Sequence, residues 1–287
     1  MRAKFYRVLL DTIGVVSLAC PAASAFDFAD IHSLATGQTS VLSLSSPGRA
    51  VNTPGFGMAA AGTNFEIGYT RKYDLADLDR LHAAFSARKG AFSFAAGMSQ
   101  LGKASLYTER VARGTVTYER GKYAAGLTGS ALQTEFGNNY GRFSAVTVGA
   151  GLGVRMANVL ASVSADNLTR PKLYRGAVPF NPAGVINLEL LTQKKLSLMV
   201  RVVMIEHTRP RIGFGQRIPL ARVSALYWGV STRPLEYGGG IDISARGFVF
   251  TYAASIHPVL GLSQGISLSW GSKLTRTEPP ATEEGNF

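Results

Sequence analysis

Cysteine is almost absent from this chain: Cys20 is the only one in 287 residues. That excludes a disulfide framework and a cysteine-based zinc module. Charge is also scarce, at 17% of residues where soluble domains usually carry ~25%. With 46% hydrophobic residues, a disordered polymer is excluded as well. Histidines are few, and His32, His82, His207 and His257 have no partners at metal-ligand spacing. His257 precedes Pro258 and reads as a turn residue. There is no Gly-x-Ser-x-Gly elbow and no phosphate-binding glycine loop. Serines abound, but not with the base and orienter that a hydrolase needs. No enzyme, cofactor or metal site is expected.

The formal net charge is +12. The basic residues are scattered along the chain rather than clustered, which argues against a nucleic-acid partner and for attraction to anionic lipid or an anionic solute. The N-terminus carries Arg2, Lys4 and Arg7, then the apolar run Val8–Cys20, then Ala23-Ser24-Ala25. This is the layout of a secretory signal peptide over residues 1–25, with cleavage before Phe26. Lipidation at Cys20 and a retained anchor are the alternatives.

Long apolar helices are missing too. Residues 247–272 lack Asp, Glu, Lys and Arg, long enough to span a bilayer as a helix, but Pro258, Gly261 and Gly265 interrupt them. Their period is 2: Leu260, Leu262, Ile266, Leu268 and Trp270 alternate with Gly261, Ser263, Gly265, Ser267 and Ser269. Such alternation predicts strands, here a hairpin turning near His257-Pro258-Val259. It recurs in Phe65/Ile67/Tyr69, Leu81/Ala83/Phe85, Val146/Val148/Leu152 and Val159/Ala161/Val163. Turn signals lie between, at Arg88-Lys89-Gly90, Gly121-Lys122, Gly137-Asn138-Asn139 and Thr232-Arg233-Pro234. About fourteen segments fit between Thr63 and Trp270, with twelve as the alternative and an ambiguous split around residues 100–120. Helical periodicity is not convincing anywhere after the signal.

The segments have the length of tilted membrane strands, one face is Gly, Ser, Thr and charge, and aromatics (Tyr73, Tyr107, Tyr123, Trp228, Tyr237, Trp270) sit towards segment ends. The predicted fold is an all-β transmembrane antiparallel barrel of about 14 strands over residues 63–271. A secreted soluble β-protein is the alternative. Residues 26–62, rich in Ser, Ala, Gly, Thr and Pro, cannot build their own core and read either as a periplasmic tail or as a plug in the barrel mouth. Residues 272–287 read as a disordered tail. Glycines inside strands, as in Gly149-Ala150-Gly151-Leu152-Gly153, predict close approach by a neighbouring group.

Charges in mid-strand should face the lumen, since a basic residue in lipid at the bilayer midplane costs about 2–4 kcal/mol. Parity places Glu66, Glu119, Arg155, Asp166, Glu189, Arg201, Asp242 and Arg246 inside. They are expected to pair across the lumen, as bracing or as solute contacts. Ser263-x-Gly265-x-x-Leu268-x-Trp270 fits the polar-x-Gly-x-x-apolar-x-aromatic signal read by the barrel assembly machinery. The last strand should therefore end at Trp270, with Gly265, Leu268 and Trp270 as the assembly signal.

Several stretches resemble the FadL-type outer-membrane barrel superfamily, and within it a PorV-like branch from Bacteroidetes, Chlorobi and Fibrobacteres. They are Asn52-Thr53-Pro54-Gly55, where those proteins carry an Asn-Pro-Ala-Gly plug motif, Tyr107-Thr108-Glu109, residues 164–171 and residues 251–261. Asn181-Pro182-Ala183-Gly184 repeats the motif letters elsewhere and reads as a loop. The resemblance implies a bacterial outer-membrane channel passing hydrophobic or small solutes; the alternatives are a PorV-like scaffold for secreted or surface proteins and a closed structural barrel. A clear lumen with an opening in its wall would favour transport, and a filled lumen with long outer loops would favour docking. The outer loops read as short.

Overall fold

The computed structural model describes residue 28 and residues 30–57, 62–103, 107–137, 141–173, 177, 179–192, 196–206, 208–221 and 223–271. The expected signal peptide, cleavage site, C-terminal tail, His207 and the turn residues Asn138 and Asn139 lie outside these. Fourteen antiparallel strands close into a barrel in which each pairs with its sequence neighbours and β1 with β14. In order they are β1 (Gly62–Arg71), β2 (Asp79–Lys89), β3 (Phe92–Lys103), β4 (Tyr107–Arg120), β5 (Tyr123–Phe136), β6 (Gly141–Met156) and β7 (Val159–Asp166). There follow β8 (Ala183–Leu191), β9 (Ser197–Ile205), β10 (Arg211–Ala221), β11 (Ser224–Ser231), β12 (Glu236–Ala245), β13 (Phe248–His257) and β14 (Gly261–Gly271). This is the transmembrane barrel predicted above, and the uncertain stretch near residue 100 resolves into β3 and β4.

Alternation sets which face each residue takes. In β1, Phe65 and Ile67 are exposed outside while Asn64, Glu66 and Thr70 are buried inside. In β14, Leu262, Ile266 and Leu268 are outside and Ser263, Ser267 and Ser269 inside. The closing seam pairs Phe65 with Trp270, Ile67 with Leu268 and Glu66 with Ser269, so apolar meets apolar on one face and polar meets polar on the other. No free edge remains. Aromatics ring one rim: Phe65 stacks on Trp270 at 5.4 Å and tilts against Phe85 at 5.0 Å, and Phe92 meets Tyr118 at 5.0 Å. Tyr107 and Phe136, 5.2 Å apart, belong to the opposite rim. Trp228 lies within β11 rather than at its end.

The two rims differ. At the rim where β1 starts and β14 ends, the turns are tight, as between β2 and β3 or β4 and β5. Outer-membrane barrels keep their short turns on the periplasmic side, and this rim is called the inner one by that rule. The outer rim carries residues 72–78, which include a 3-10 helix (Ala76–Leu78), and a long connection over residues 167–182. That connection departs from the short loops expected. Leu173 and Phe180 from it pack against Val111 and Leu132 on the inner faces of β4 and β5. Of Asn181-Pro182-Ala183-Gly184, read above as a loop, the last two residues begin β8.

Two short helices, α1 (Ile31–Ala35) and α2 (Pro47–Asn52), precede the barrel. They depart from the expectation of no helix after the signal, because five or six residues are too few to show a 3.6-residue period. Asp30 caps α1 by accepting from the His32 amide, and Ser46 caps α2, which carries Pro47 in its first turn. Both helices lie inside the barrel. Ile31, Leu34 and Val41 pack against Met199, Tyr227 and Ala253; Phe28, Ala50 and Val51 against Ala84 and Ala95; Leu42 and Phe56 against Leu160. A segment unable to form a core alone thus completes one with the wall.

Candidate functional site

The lumen is occupied by residues 30–57, a plug whose backbone lies against the barrel wall. Glycines in the wall make this possible. A side chain at Gly153 would collide with the Gly55 carbonyl, and one at Gly151 would reach within 2.7 Å of the Gly55 nitrogen. Across the barrel, Gly213, Gly215 and Gly229 leave the same room for residues 36–39. Threonines of β4 bond the plug's carbonyls: Thr115 donates to Val51 at 3.0 Å and Thr117 to Pro54 at 3.1 Å. The stretch resembling a plug motif is thereby held by β4, β5 and β6.

Four wall carboxylates each accept a donor from the plug. Glu66 accepts from the Ser46 hydroxyl at 2.7 Å, while that hydroxyl receives the Arg49 amide and caps α2. Glu189 takes both the amide and the hydroxyl of Ser43, at 2.8 and 2.6 Å. Glu119 accepts the Gly57 amide at 2.9 Å and pairs with Arg88 at 2.7 Å. Asp242 meets His32 Nε2 at 3.1 Å and also accepts from the hydroxyls of Thr251 and Tyr227. Two guanidiniums complete the set: Arg201 donates to the Gln38 carbonyl at 2.9 Å, and Arg155 lies over the Phe56 ring at 5.7 Å.

The inward parity of these six side chains follows the alternation, but their partners do not. They are expected to pair with one another across the lumen; instead each meets a plug residue, and wall residues such as Arg88 and His82 pair with Glu119 and Glu66 besides. Asp166, at the outer end of β7, borders an outer cavity. Arg246 is a correction. It sits with Gly247 in the tight turn between β12 and β13, exposed and with φ of 47°. Parity counting carried it inside because the strand stops one residue earlier, at Ala245. Of the assembly-signal residues, Gly265 faces inward against Ile31, Leu268 faces out and Trp270 joins the inner-rim aromatics.

Three plug and turn residues gained roles that spacing did not reveal. Asp242 raises the His32 pKa well above the ordinary histidine value, with Asp30 adding to it, even though burial pulls the other way more strongly than any single contact. His32 is 210 positions from Asp242, so no local pattern could signal the pair. Arg49 donates to the Phe56 and Gly57 carbonyls at 3.2 and 2.6 Å and locks the turn after α2. Burial pushes its guanidinium down to about 10, with Glu119 countering part of the shift, so it stays charged at neutral pH. His257 accepts the Val259 and Leu260 amides at 3.1 and 3.0 Å and shapes the β13–β14 turn.

Above the plug, towards the outer rim, lies a cavity of about 110 Å³ floored by Leu34, Gln38 and Asn52. Its walls come from the outer ends of β1, β2, β7, β8, β9 and β10 and from the middle of β4. The site is therefore a stack of outer vestibule, plug and inner rim, with every strand of the wall paired to two neighbours.

No protein-family model and no curated protein sequence matches this chain. Solved structures do. The chain is similar to the Pseudomonas putida toluene transporter TodX, with a TM-score of 0.59 and 10% identity over 87% of this chain and 98% of that one. It is likewise similar to a TodX monoaromatic hydrocarbon channel with the S2 deletion, with a TM-score of 0.61 and 11% identity over 86% and 99% of the two chains. At such identities the likeness is one of fold: a closed 14-strand antiparallel barrel of the kind the FadL-type resemblance implied.

Proposed function

We propose that this chain is an outer-membrane channel, FadL-like in design, that passes small or hydrophobic solutes past a resident plug. The observation that carries this reading is the attachment of residues 30–57: the plug is held by side-chain hydrogen bonds and apolar contacts, while the barrel holds itself by a continuous backbone ladder. A hydrogen bond to a charged group contributes ~1.5–3 kcal/mol, and the strand pairing that closes the wall includes none of these bonds, so the plug can shift without unfolding the wall. The apolar exterior suits lipid, and the neighbours described above include a toluene transporter.

The scaffold reading, a filled barrel that holds secreted or surface proteins, draws on the same occupied lumen. Outer connections other than residues 167–182 are short, which leaves it little surface for docking. The test is a swelling assay on proteoliposomes with small solutes of graded size and polarity. Swelling by wild-type protein that increases in Glu189→Gln supports a plugged channel. No swelling with either protein, together with capture of a surface protein from outer membranes, would replace it with the scaffold.

A further inference from the structure

We propose that the inner rim binds the phosphate headgroup of an anionic phospholipid, on the outward face of the turns joining β2 to β3 and β4 to β5. The site stands whether or not the barrel conducts. The first observation is a segregation of charge between the rims. At the outer rim, cations meet acids: Arg71 pairs with Asp79 at 2.9 Å, Lys103 with Asp77 at 2.8 Å and Arg110 with Glu135 at 2.8 Å. In the inner half of the wall, Glu66, Glu119, Glu189 and Asp242 all face the lumen, where they hold the plug. Among the described residues, the outward side of the inner rim carries cations and no carboxylate.

Three of these cations gather in one place. Lys89 and Arg120 end β2 and β4 on the outward parity of Phe85 and Tyr118, and Lys122 stands in the turn that follows. All three are exposed. Strand pairing sets aromatics between them: Lys89 opposes Phe92, Phe92 opposes Tyr118, and Arg120 opposes Tyr123. Phe92, Tyr118 and Tyr123 are exposed as well. The Phe92 and Tyr118 rings lie 5.0 Å apart, and Lys122 Nζ stands 5.4 Å from the centre of the Tyr123 ring. Glu119, the acid beside Arg120 in sequence, turns inward to Arg88 and the Gly57 amide.

Aromatics at the ends of membrane strands sit at headgroup level, which puts this patch at the depth of lipid phosphates. Long basic side chains lay their stems along apolar surface and carry their charge to that level. Two strand spacings, ~10 Å, separate Lys89 from Arg120, so one headgroup can meet cations from two sides. Basic groups in such a place attract anionic lipid, and a guanidinium binds two phosphate oxygens at once. The cations are exposed rather than enclosed, which gives a free ion little to hold it. The rings supply what a lipid adds, an apolar contact for its glycerol and upper chains.

The test is native mass spectrometry of the full chain in detergent micelles, titrated with phosphatidylglycerol or with phosphatidylcholine. The first phosphatidylglycerol should bind about tenfold more tightly than the first phosphatidylcholine. Lys89→Gln/Arg120→Gln/Lys122→Gln should erase most of that preference, and Lys89→Arg/Lys122→Arg should keep it. Arg246→Gln, which removes a single exposed cation from the β12–β13 turn, should leave it unchanged. Heat-modifiable migration of each variant reports an intact barrel. Equal affinity for the two lipids, or an intact triple variant with undiminished preference, overturns the site. An equal loss in Arg246→Gln also overturns it, since rim charge in general would then be responsible. Displacement of the lipid by inorganic phosphate overturns the lipid assignment in favour of an ion site. A preference that emerges only on deleting residues 272–287, which contain Glu278, Glu283 and Glu284, overturns it in favour of the chain's own tail.

Discussion

His32 Nε2 in the plug lies 3.1 Å from Asp242 Oδ1 in the wall, and both side chains are buried. Around them stand Asp30 on the plug side, and Tyr227 and Thr251 on the wall, with Arg217 bonded to the Tyr227 hydroxyl at 3.1 Å. Removing one partner of such a buried pair leaves the other charged without compensation, which typically costs ~3–5 kcal/mol. Asp242→Asn should therefore loosen α1 far more than a surface substitution does. Hydrogen exchange of the amides in residues 31–35 would show it as lost protection.

The same pair makes plug docking depend on pH. The His32 pKa is raised in the docked state. Its contribution is thus complete below about 6.5, the ordinary histidine value, and declines as pH rises through the raised value. Protection of residues 31–35, corrected for intrinsic exchange, should fall as pH increases above neutrality. In His32→Gln that pH dependence should vanish. A plug that loosens on acidification over pH 6–8 would contradict the assignment.

Gly153→Val should expel the Pro54-Gly55 stretch from β6 while leaving the barrel closed. Overpacking typically costs about 1–3 kcal/mol, and the collision is with backbone that cannot turn aside. Limited proteolysis should then cut within residues 47–57, and the protein should remain heat-modifiable. Resistance equal to the wild type would mean that the plug does not lie on β6.

Gly271 is the last residue of β14 and pairs with Asn64. Deleting residues 272–287 should leave heat-modifiable, membrane-inserted protein. Leu268→Asp with Trp270→Asp places two carboxylates on the outer face beside Ile67 and Phe65 and should abolish insertion. If the truncation alone blocks assembly, the signal lies in the tail.

The barrel was legible because period 2 persists through each strand, with a polar and glycine-rich face inside: Val146, Val148 and Leu152 outside, Thr147, Gly149 and Gly151 inside. The close approach predicted for Gly151 and Gly153 is where the plug lies. What stayed hidden is long-range. Ser43 meets Glu189 across 146 positions and His32 meets Asp242 across 210, and no local pattern encodes either. Arg246 was misplaced because parity knows the face but not where a strand stops. The outer connection was misread because Leu173 and Phe180 look like ordinary loop residues until they meet Val111 and Leu132.

Single-channel recording in planar bilayers tests most directly whether the plug is a movable occupant of a conducting barrel. Wild-type protein should show brief openings of low conductance. Glu66→Gln/Glu189→Gln, which weakens the hold on Ser46 and Ser43, should show openings at least several-fold longer from a barrel of unchanged heat-modifiability. Two silent proteins, or two with identical dwell times, would contradict a plug held by these carboxylates and gating a pore.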